Sequence, residues 1–370
     1  STFYSAKFDN QWEATRRIIT SAQADIKHFG DERFVITPQA YWHRDVDHYQ
    51  LTRGKEGAKN GENYHRTDVY GASLNAHATW LLGKTAVGMD IRKEHILSTA
   101  YGDLLPENEW KDIHGTDRRY DHRGDRTNTS LFLEHNVILG GFTLSAGVLA
   151  NRNTGLDGDF RFYPGVDISY RPNEMWKFYA SWNKALRVPT YTDLYTSNSV
   201  QQGDTGLRPE RTSTFKAGTR FRTRGVEAVV SGFYSKGSDI IDWVYETEES
   251  RKYHAMNIGK LDNMGYSVDA TLNMTELLPG SFVTRIKAGY ARIHPRHTTE
   301  QPVYRSLYAL EYLRHKATFQ LDHRIWSRLS ASWAVRWQER MNHYEPYTKV
   351  DCKLQWTAPT YSLYVKADNI

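Results

Sequence analysis

Tyr70-Gly71-Ala72-Ser73-Leu74-Asn75-Ala76-His77-Ala78-Thr79-Trp80 alternates without a break. Tyr, Ala, Leu, Ala, Ala and Trp fall on one face, and Gly, Ser, Asn, His and Thr on the other. Strict period two marks a strand whose two faces meet different surroundings. The pattern reaches back to Tyr64 and on to Leu82, far beyond the roughly five or six residues usual in a soluble sheet.

The same alternation recurs along the whole chain. Trp176, Phe178, Ala180 and Trp182 alternate with Lys177, Tyr179, Ser181 and Asn183. Leu329, Ala331, Trp333, Val335 and Trp337 alternate with Ser330, Ser332, Ala334 and Arg336. Val350, Cys352, Leu354 and Trp356 oppose Asp351, Lys353 and Gln355. Roughly seventeen strands are expected: 1–9, 12–27, 34–50, 64–82, 85–98, 126–138, 142–153, 160–171, 175–186, 212–222, 226–245, 253–273, 281–293, 305–325, 329–339, 347–357 and 361–368. Short connections include Gly30–Asp31, Gly83–Lys84, Gly140–Gly141, Pro172–Asn173, Arg224–Gly225, Pro279–Gly280, Ser327–Arg328 and Ala358–Pro359. Long, polar ones include Thr52 to Asn63, Ser98 to Gly124, Leu186 to Arg211, Thr247 to Tyr253, His294 to Arg305 and Glu339 to Tyr347. In an up-and-down antiparallel sheet, alternate connections lie at opposite ends. One end is therefore trimmed and the other carries large loops, as in an outer-membrane β-barrel. A β-sandwich alternates too, but its strands are shorter, so the fold expected is all-β, an antiparallel transmembrane barrel.

Composition agrees. No apolar run among the 370 residues approaches the roughly 18 to 20 residues of a transmembrane helix, which excludes a helical membrane protein. The mean hydropathy is negative, and a barrel tolerates that because only alternate residues face lipid. The 24 Tyr and 11 Trp fit aromatic girdles at two membrane interfaces; Trp80, Trp176 and Trp356 close apolar faces at strand ends. The single Cys352 rules out an intramolecular disulfide and any multi-cysteine metal site. A net charge of +5 is spread through strands and loops, so nucleic-acid binding is not expected. There is no G-x-S-x-G, H-E-x-x-H or Walker loop, and hence no expected enzyme activity.

The most distinctive segment is Trp182-Asn183-Lys184-Ala185-Leu186-Arg187-Val188-Pro189-Thr190-Tyr191-Thr192-Asp193-Leu194-Tyr195, followed by Gly206-Leu207-Arg208-Pro209-Glu210-Arg211-Thr212. Proline at 189 stops a strand, and the charged residues can fix the root of a long loop. The pair resembles a landmark of the TonB-dependent outer-membrane receptors: an aromatic-Arg-Ala-Pro element, then acidic-Leu-Tyr, then Asn-Leu-Lys-Pro-Glu. The matching positions are Arg187, Pro189, Leu194, Tyr195, Leu207, Pro209 and Glu210; Leu186, Val188, Gly206 and Arg208 depart from it. The final Tyr364-Val365-Lys366-Ala367-Asp368-Asn369-Ile370 is similar to the family's penultimate-strand element.

The resemblance covers essentially the whole chain. It implies a barrel of about 22 strands around an N-terminal plug, with residues 1–370 supplying approximately strands 5 to 21. The plug, the first strands and the last strand would be absent, and contact with the TonB complex would run through the missing plug region. It also implies the outer membrane of a Gram-negative bacterium, outer-membrane lipid as surroundings, and active uptake of a large scarce nutrient without covalent chemistry. Within the family, Phe34 to Arg44, Asn63 to Gly71 and Asn151-Arg152-Asn153-Thr154 resemble the cobalamin receptors of Bacteroidetes. Cobalamin or another corrinoid is the expected ligand, with a ferric siderophore as the alternative and a surface lipoprotein as the capturing partner. Haem is less expected, since the stretch from Pro189 to Leu207 has no histidine. A passive porin or a barrel enzyme would be the reading from another class.

Expected ligand-contacting residues are the aromatic, acidic and amide side chains at the loop end: Tyr101, Trp110, Tyr191, Asp193, Tyr195, Gln201, Gln202 and Tyr304. Asp157 and Asp159 are calcium candidates, although Asp157-Gly158-Asp159 lacks a full calcium-loop pattern and fits exposed turn chemistry. His294 and His297 are expected in a loop and not at a metal. No resident cofactor is implied.

Overall fold

The computed structural model describes residues 10–28, 31–156, 158–299, 302–307, 313–341 and 345–370. Sixteen staves follow in chain order: β1 (Trp12–Gln23, continued by Ile26–His28), β2 (Asp31–Gln50), β3 (Glu62–Trp80), β4 (Gly83–Ser98), β5 (His122–Leu139) and β6 (Phe142–Asn153). Then come β7 (Arg161–Tyr170), β8 (Trp176–Arg187), β9 (Glu210–Thr223), β10 (Val226–Ser238), β11 (Gly259–Asn273) and β12 (Val283–Thr299). The last four are β13 (Leu313–Arg324), β14 (Leu329–Arg340), β15 (Tyr347–Thr357) and β16 (Ser362–Ala367). Each pairs antiparallel with the next, so one sheet runs from β1 to β16 as a continuous meander. No pairing among the described residues joins β1 to β16, and the arc is open. The expected strand at 1–9 lies outside the described residues.

Register separates two faces. On one, Leu74 pairs with Met89, Phe178 with Thr219 and Val268 with Tyr290, and Leu74, Met89, Phe178 and Val268 are exposed. The other carries Ser73 opposite Asp90 and Arg92 opposite Asn128, and later Lys216, Ser231 and Gln320. An apolar outer face and a polar inner face are the inverse of a soluble fold and match a lipid-facing barrel wall. From Val226 to Tyr234 the outer face of β10 covers about 26 Å along the strand, or about 20 Å along the normal at a tilt of roughly 40°. Aromatics bound this band. Trp80, Trp176 and Trp356 stand at the turn end, while Trp182, Phe215, Tyr234, Tyr266 and Tyr290 form the row towards the loops.

The turn end is trimmed, with small departures from expectation. The hairpin after β3 turns at Leu81–Leu82, because Gly83 already pairs with Trp80. Gly83 sits at φ 127, and a Cβ there would lie 2.0 Å from the Asn136 carbonyl oxygen, so only glycine fits. The connection containing Pro279–Gly280 is longer than expected and holds a one-turn helix, Met274–Leu277.

Larger corrections fall at the loop end. The expected strand 226–245 breaks at Asp239, whose φ is 54, and the expected 253–273 breaks before Gly259, at φ 105. Strand 305–325 is likewise divided: Arg305–Ser306 leaves the wall, and β13 begins at Leu313. The detached pieces Gln201–Gln202, Ile241–Tyr245, Tyr253–Asn257 and Arg305–Ser306 form a separate four-stranded sheet. Three different connections are thereby sewn together. β12 instead continues to Thr299, which places His294 and His297 in the wall, on opposite faces, and not in a loop.

The buried apolar clusters belong to the loop end. One joins Tyr64, Leu97, Leu105, Ile113 and Tyr120. Two lie in or under the small sheet: Ile240, Val244, Ile258 and Leu261, and then Leu207, Ile241, Trp243 and Ala255. Apolar burial there fixes the loops, whereas the staves are held by backbone ladders and outer-face contact with lipid.

Candidate functional site

The connection from β8 to β9 is anchored at its root. Pro189 is fully buried at the end of β8. The next residue, Thr190, caps a one-turn helix, α1 (Tyr191–Tyr195): its Oγ1 accepts from Asp193 N at 3.1 Å, and its own N–H donates to Asp193 Oδ2 at 3.0 Å. This reciprocal capping box is available because Thr and Asp stand three residues apart. Arg187 donates to Asp193 Oδ2 at 3.2 Å, Glu210 Oε1 at 2.7 Å and the Ile241 carbonyl at 3.3 Å. Trp243 Nε1 donates to Asp193 Oδ1 at 3.3 Å, and Ile241 N to Glu210 Oε1 at 2.8 Å. Leu194 and Leu207 pack with Trp243, and Pro209 is buried. Thus Arg187, Pro189, Asp193, Leu194, Leu207, Pro209 and Glu210, scattered over 24 positions of sequence, form one knot. A recess of about 380 Å³ opens beside it on the inner face, lined also by Thr212, Ser235 and Asn263.

Tyrosines gather on this knot. The Tyr191 ring lies over the Arg126 guanidinium, 4.6 Å from its centroid. Arg126 also donates to the Pro189 carbonyl at 2.9 Å and pairs with Glu94. Burial pushes the Tyr191 hydroxyl up to about 12, and that oxygen has no hydrogen-bond partner among the described residues. Tyr195 stacks with Tyr191 at 6.2 Å, and burial also raises its hydroxyl. Tyr101 reaches the same loop from the β4–β5 connection. Its hydroxyl meets Thr196 Oγ1 at 3.0 Å and its ring stacks on His65 at 4.2 Å; burial raises this hydroxyl too.

The small sheet extends the assembly. Gln201 pairs in parallel with Tyr253, whose ring stacks on Tyr245 at 4.0 Å. Tyr304 N donates to the Tyr245 carbonyl at 2.8 Å, leaving the Tyr304 side chain exposed. Gln202 is exposed and bonds Ser197 at 3.0 Å. Seven of the eight expected contact residues therefore join one linked loop assembly. Trp110 does not. It packs against the cluster of Tyr64, Leu97 and Ile113 and donates to the Leu105 carbonyl at 2.9 Å. Tyr64 and Leu97 occupy the outer face by register, so Trp110 holds its loop against the outside of the wall.

Arg126, Trp243, Tyr245 and Tyr253 were not singled out from sequence. The one available signal was Ile240-Ile241-Asp242-Trp243-Val244, whose apolar residues break period two and so mark departure from the wall. Asp157 lies outside the described residues, and Asp159 is exposed. Among the described residues no three His, Cys, Asp or Glu side chains converge as a metal site would require.

The family model for TonB-dependent receptor-like β-barrels matches residues 2–370. The chain belongs to that family. Solved structures similar to this receptor barrel include a ferric enterobactin receptor (PfeA) variant from Pseudomonas aeruginosa, at 14% identity and TM-score 0.72. The FrpB iron transporter from Neisseria meningitidis is similar at 17% identity and TM-score 0.70, and the unliganded ferric citrate transporter FecA at 15% and 0.70. The alignments cover 97%, 96% and 96% of this receptor barrel, but 56%, 58% and 57% of the three structures. At such identities the likeness carries the fold. The family and these neighbours are receptors and transporters, not enzymes.

Proposed function

We propose that this receptor barrel serves TonB-dependent uptake of a large scarce nutrient across the outer membrane of a Gram-negative bacterium, and that the nutrient is cobalamin or a related corrinoid. The supporting observation is the linked loop assembly, which brings Tyr191, Tyr195, Gln201, Gln202, Tyr245, Tyr253 and Tyr304 to one end of the wall. A corrinoid is broad, with an apolar ring face and carboxamides around its rim. Tyrosine rings and side-chain amides complement those groups without an opposing charge. In this reading a plug domain fills the lumen and carries the TonB contact, and a surface lipoprotein delivers the ligand.

A ferric siderophore is the second reading, favoured by the iron-related names of the neighbours above. Titration of cyanocobalamin and of a ferric siderophore into the detergent-purified full-length receptor distinguishes them. Saturable corrinoid binding at micromolar concentration or below is expected; tight siderophore binding with no corrinoid binding would overturn the assignment. Uptake that persists in cells lacking TonB would instead support passive diffusion through a porin.

A further inference from the structure

The outer face at the top of β8 to β12 carries cations that the uptake reading does not use. Lys184, Lys236, Lys260, Arg292 and Arg296 are exposed and share that face by register. No described residue forms an ion pair with any of them. Two carboxylates stand nearby. Asp239 is taken by Arg208 and Arg211, each at 2.7 Å, and Asp262 accepts from the Tyr234 hydroxyl at 3.0 Å.

The opposite flank is built differently. There Arg44 and Arg66 both pair with Asp68, and Arg123 and His95 with Asp125. Outer-face cations unpaired among the described residues occur elsewhere too, Lys93 and Arg152 among them, but five stand together on β8 to β12.

Depth identifies what meets it. Lys184 and Lys236 stand two residues above girdle aromatics on their own staves, with Nζ 5.9 Å from the Trp182 ring and 5.7 Å from the Tyr234 ring. Arg292 follows Tyr290 in the same way. That is headgroup level, directly above the apolar band. A recess of about 1030 Å³ opens among Lys184, Arg211, Lys236 and Lys260, with Ser213, Ser238, Phe162 and the Asp262 carboxylate in its lining, so that cations outnumber the one anion. Ammonium groups and hydroxyls are donors for phosphate oxygens, and Phe162 offers an apolar surface to an adjoining acyl chain.

We propose that this recess binds the phosphate groups of a lipid headgroup in the outer leaflet. Occupancy would seat the barrel at a fixed depth and pin the flank beneath the small four-stranded sheet.

The test uses delipidated full-length receptor in neutral detergent, with binding read by native mass spectrometry. The probes are bisphosphorylated lipid A, its dephosphorylated form and inorganic phosphate. Retention of the bisphosphorylated lipid is expected, weakening with salt, with the dephosphorylated form at least about tenfold weaker. The triple variant Lys184→Gln, Lys236→Gln, Lys260→Gln should bind about a hundredfold more weakly, each charge contributing roughly fivefold at a membrane surface. Lys93→Gln on the opposite flank should leave retention unchanged. Equal retention of both lipids, or an undiminished triple variant, would overturn the proposal. Saturation by inorganic phosphate with no gain from the lipid would overturn it too, leaving a site for a free anion. If the triple variant does not insert, the two lipids and the salt series on the unaltered receptor still decide.

Discussion

Asp193 shows how one side chain can carry a loop. It accepts from Arg187, Thr190 N and Trp243 Nε1 while almost wholly buried. Asp193→Ala removes an acceptor from each. Arg187 keeps Glu210 and Ile241, but the buried Trp243 Nε1 loses its carboxylate, and a buried donor left unpaired costs about 1 to 3 kcal/mol. Hydrogen exchange of the amides at 190–196 should rise at least about thirtyfold, a conservative 2 kcal/mol, with barrel melting unchanged; unaltered exchange would count against the knot. Tyr191 gives a second reading of the same loop. Burial holds its hydroxyl at about 12 against an ordinary 10.0, so the folded loop favours the neutral phenol. That contribution is complete below pH 10 and is lost as pH rises through 12. Tyrosinate absorbance should show several late-titrating groups, Tyr64 and Tyr191 among them, and Tyr191→Phe should remove one. Gly124 belongs to the same packing, since a Cβ there would lie 2.7 Å from the Tyr191 ring.

At the scale of elements, Asp239 marks where β10 ends and the chain turns into the small sheet. Burial alone would raise its carboxyl, but hydrogen bonds from Arg211 and Arg208 outweigh that and hold it below the usual carboxylate range. Its stabilisation is present above the ordinary value of 3.8 and disappears as pH falls through the lower folded value. Acidification should therefore expose the 239–258 connection to protease before the wall melts. Asp239→Ala should do so at neutral pH, because alanine also disfavours the positive φ. The staves themselves were legible. The expected 142–153 and 347–357 coincide with β6 and β15, because an apolar outer face and a polar inner one impose period two on the residues themselves. The small sheet was not legible, since Ile241–Tyr245 reads as a strand whichever sheet it joins. The site was half legible: Thr190 and Asp193 display a capping signature, but Trp243 comes to Asp193 across 50 positions that no local pattern links.

For the molecule as a whole, geometry divides the expected contact residues into two groups. Tyr191→Ala should weaken ligand binding by about 2 kcal/mol, roughly thirtyfold. Trp110→Ala should leave affinity unchanged while loosening the 99–121 connection, as titration and proteolysis of the same preparations would show. Equal losses from both would mean that the mouth extends around the outer flank. β1 and β16 each have one edge unpaired among the described residues.

The small sheet draws its strands from residues 201–202, 241–245, 253–257 and 305–306. No peptide cut from one loop contains it. An antibody or a bacteriophage adhesin that grips this surface reads a discontinuous epitope, absent from linear fragments and from denatured protein. Its recognition would thus report on correctly assembled receptor.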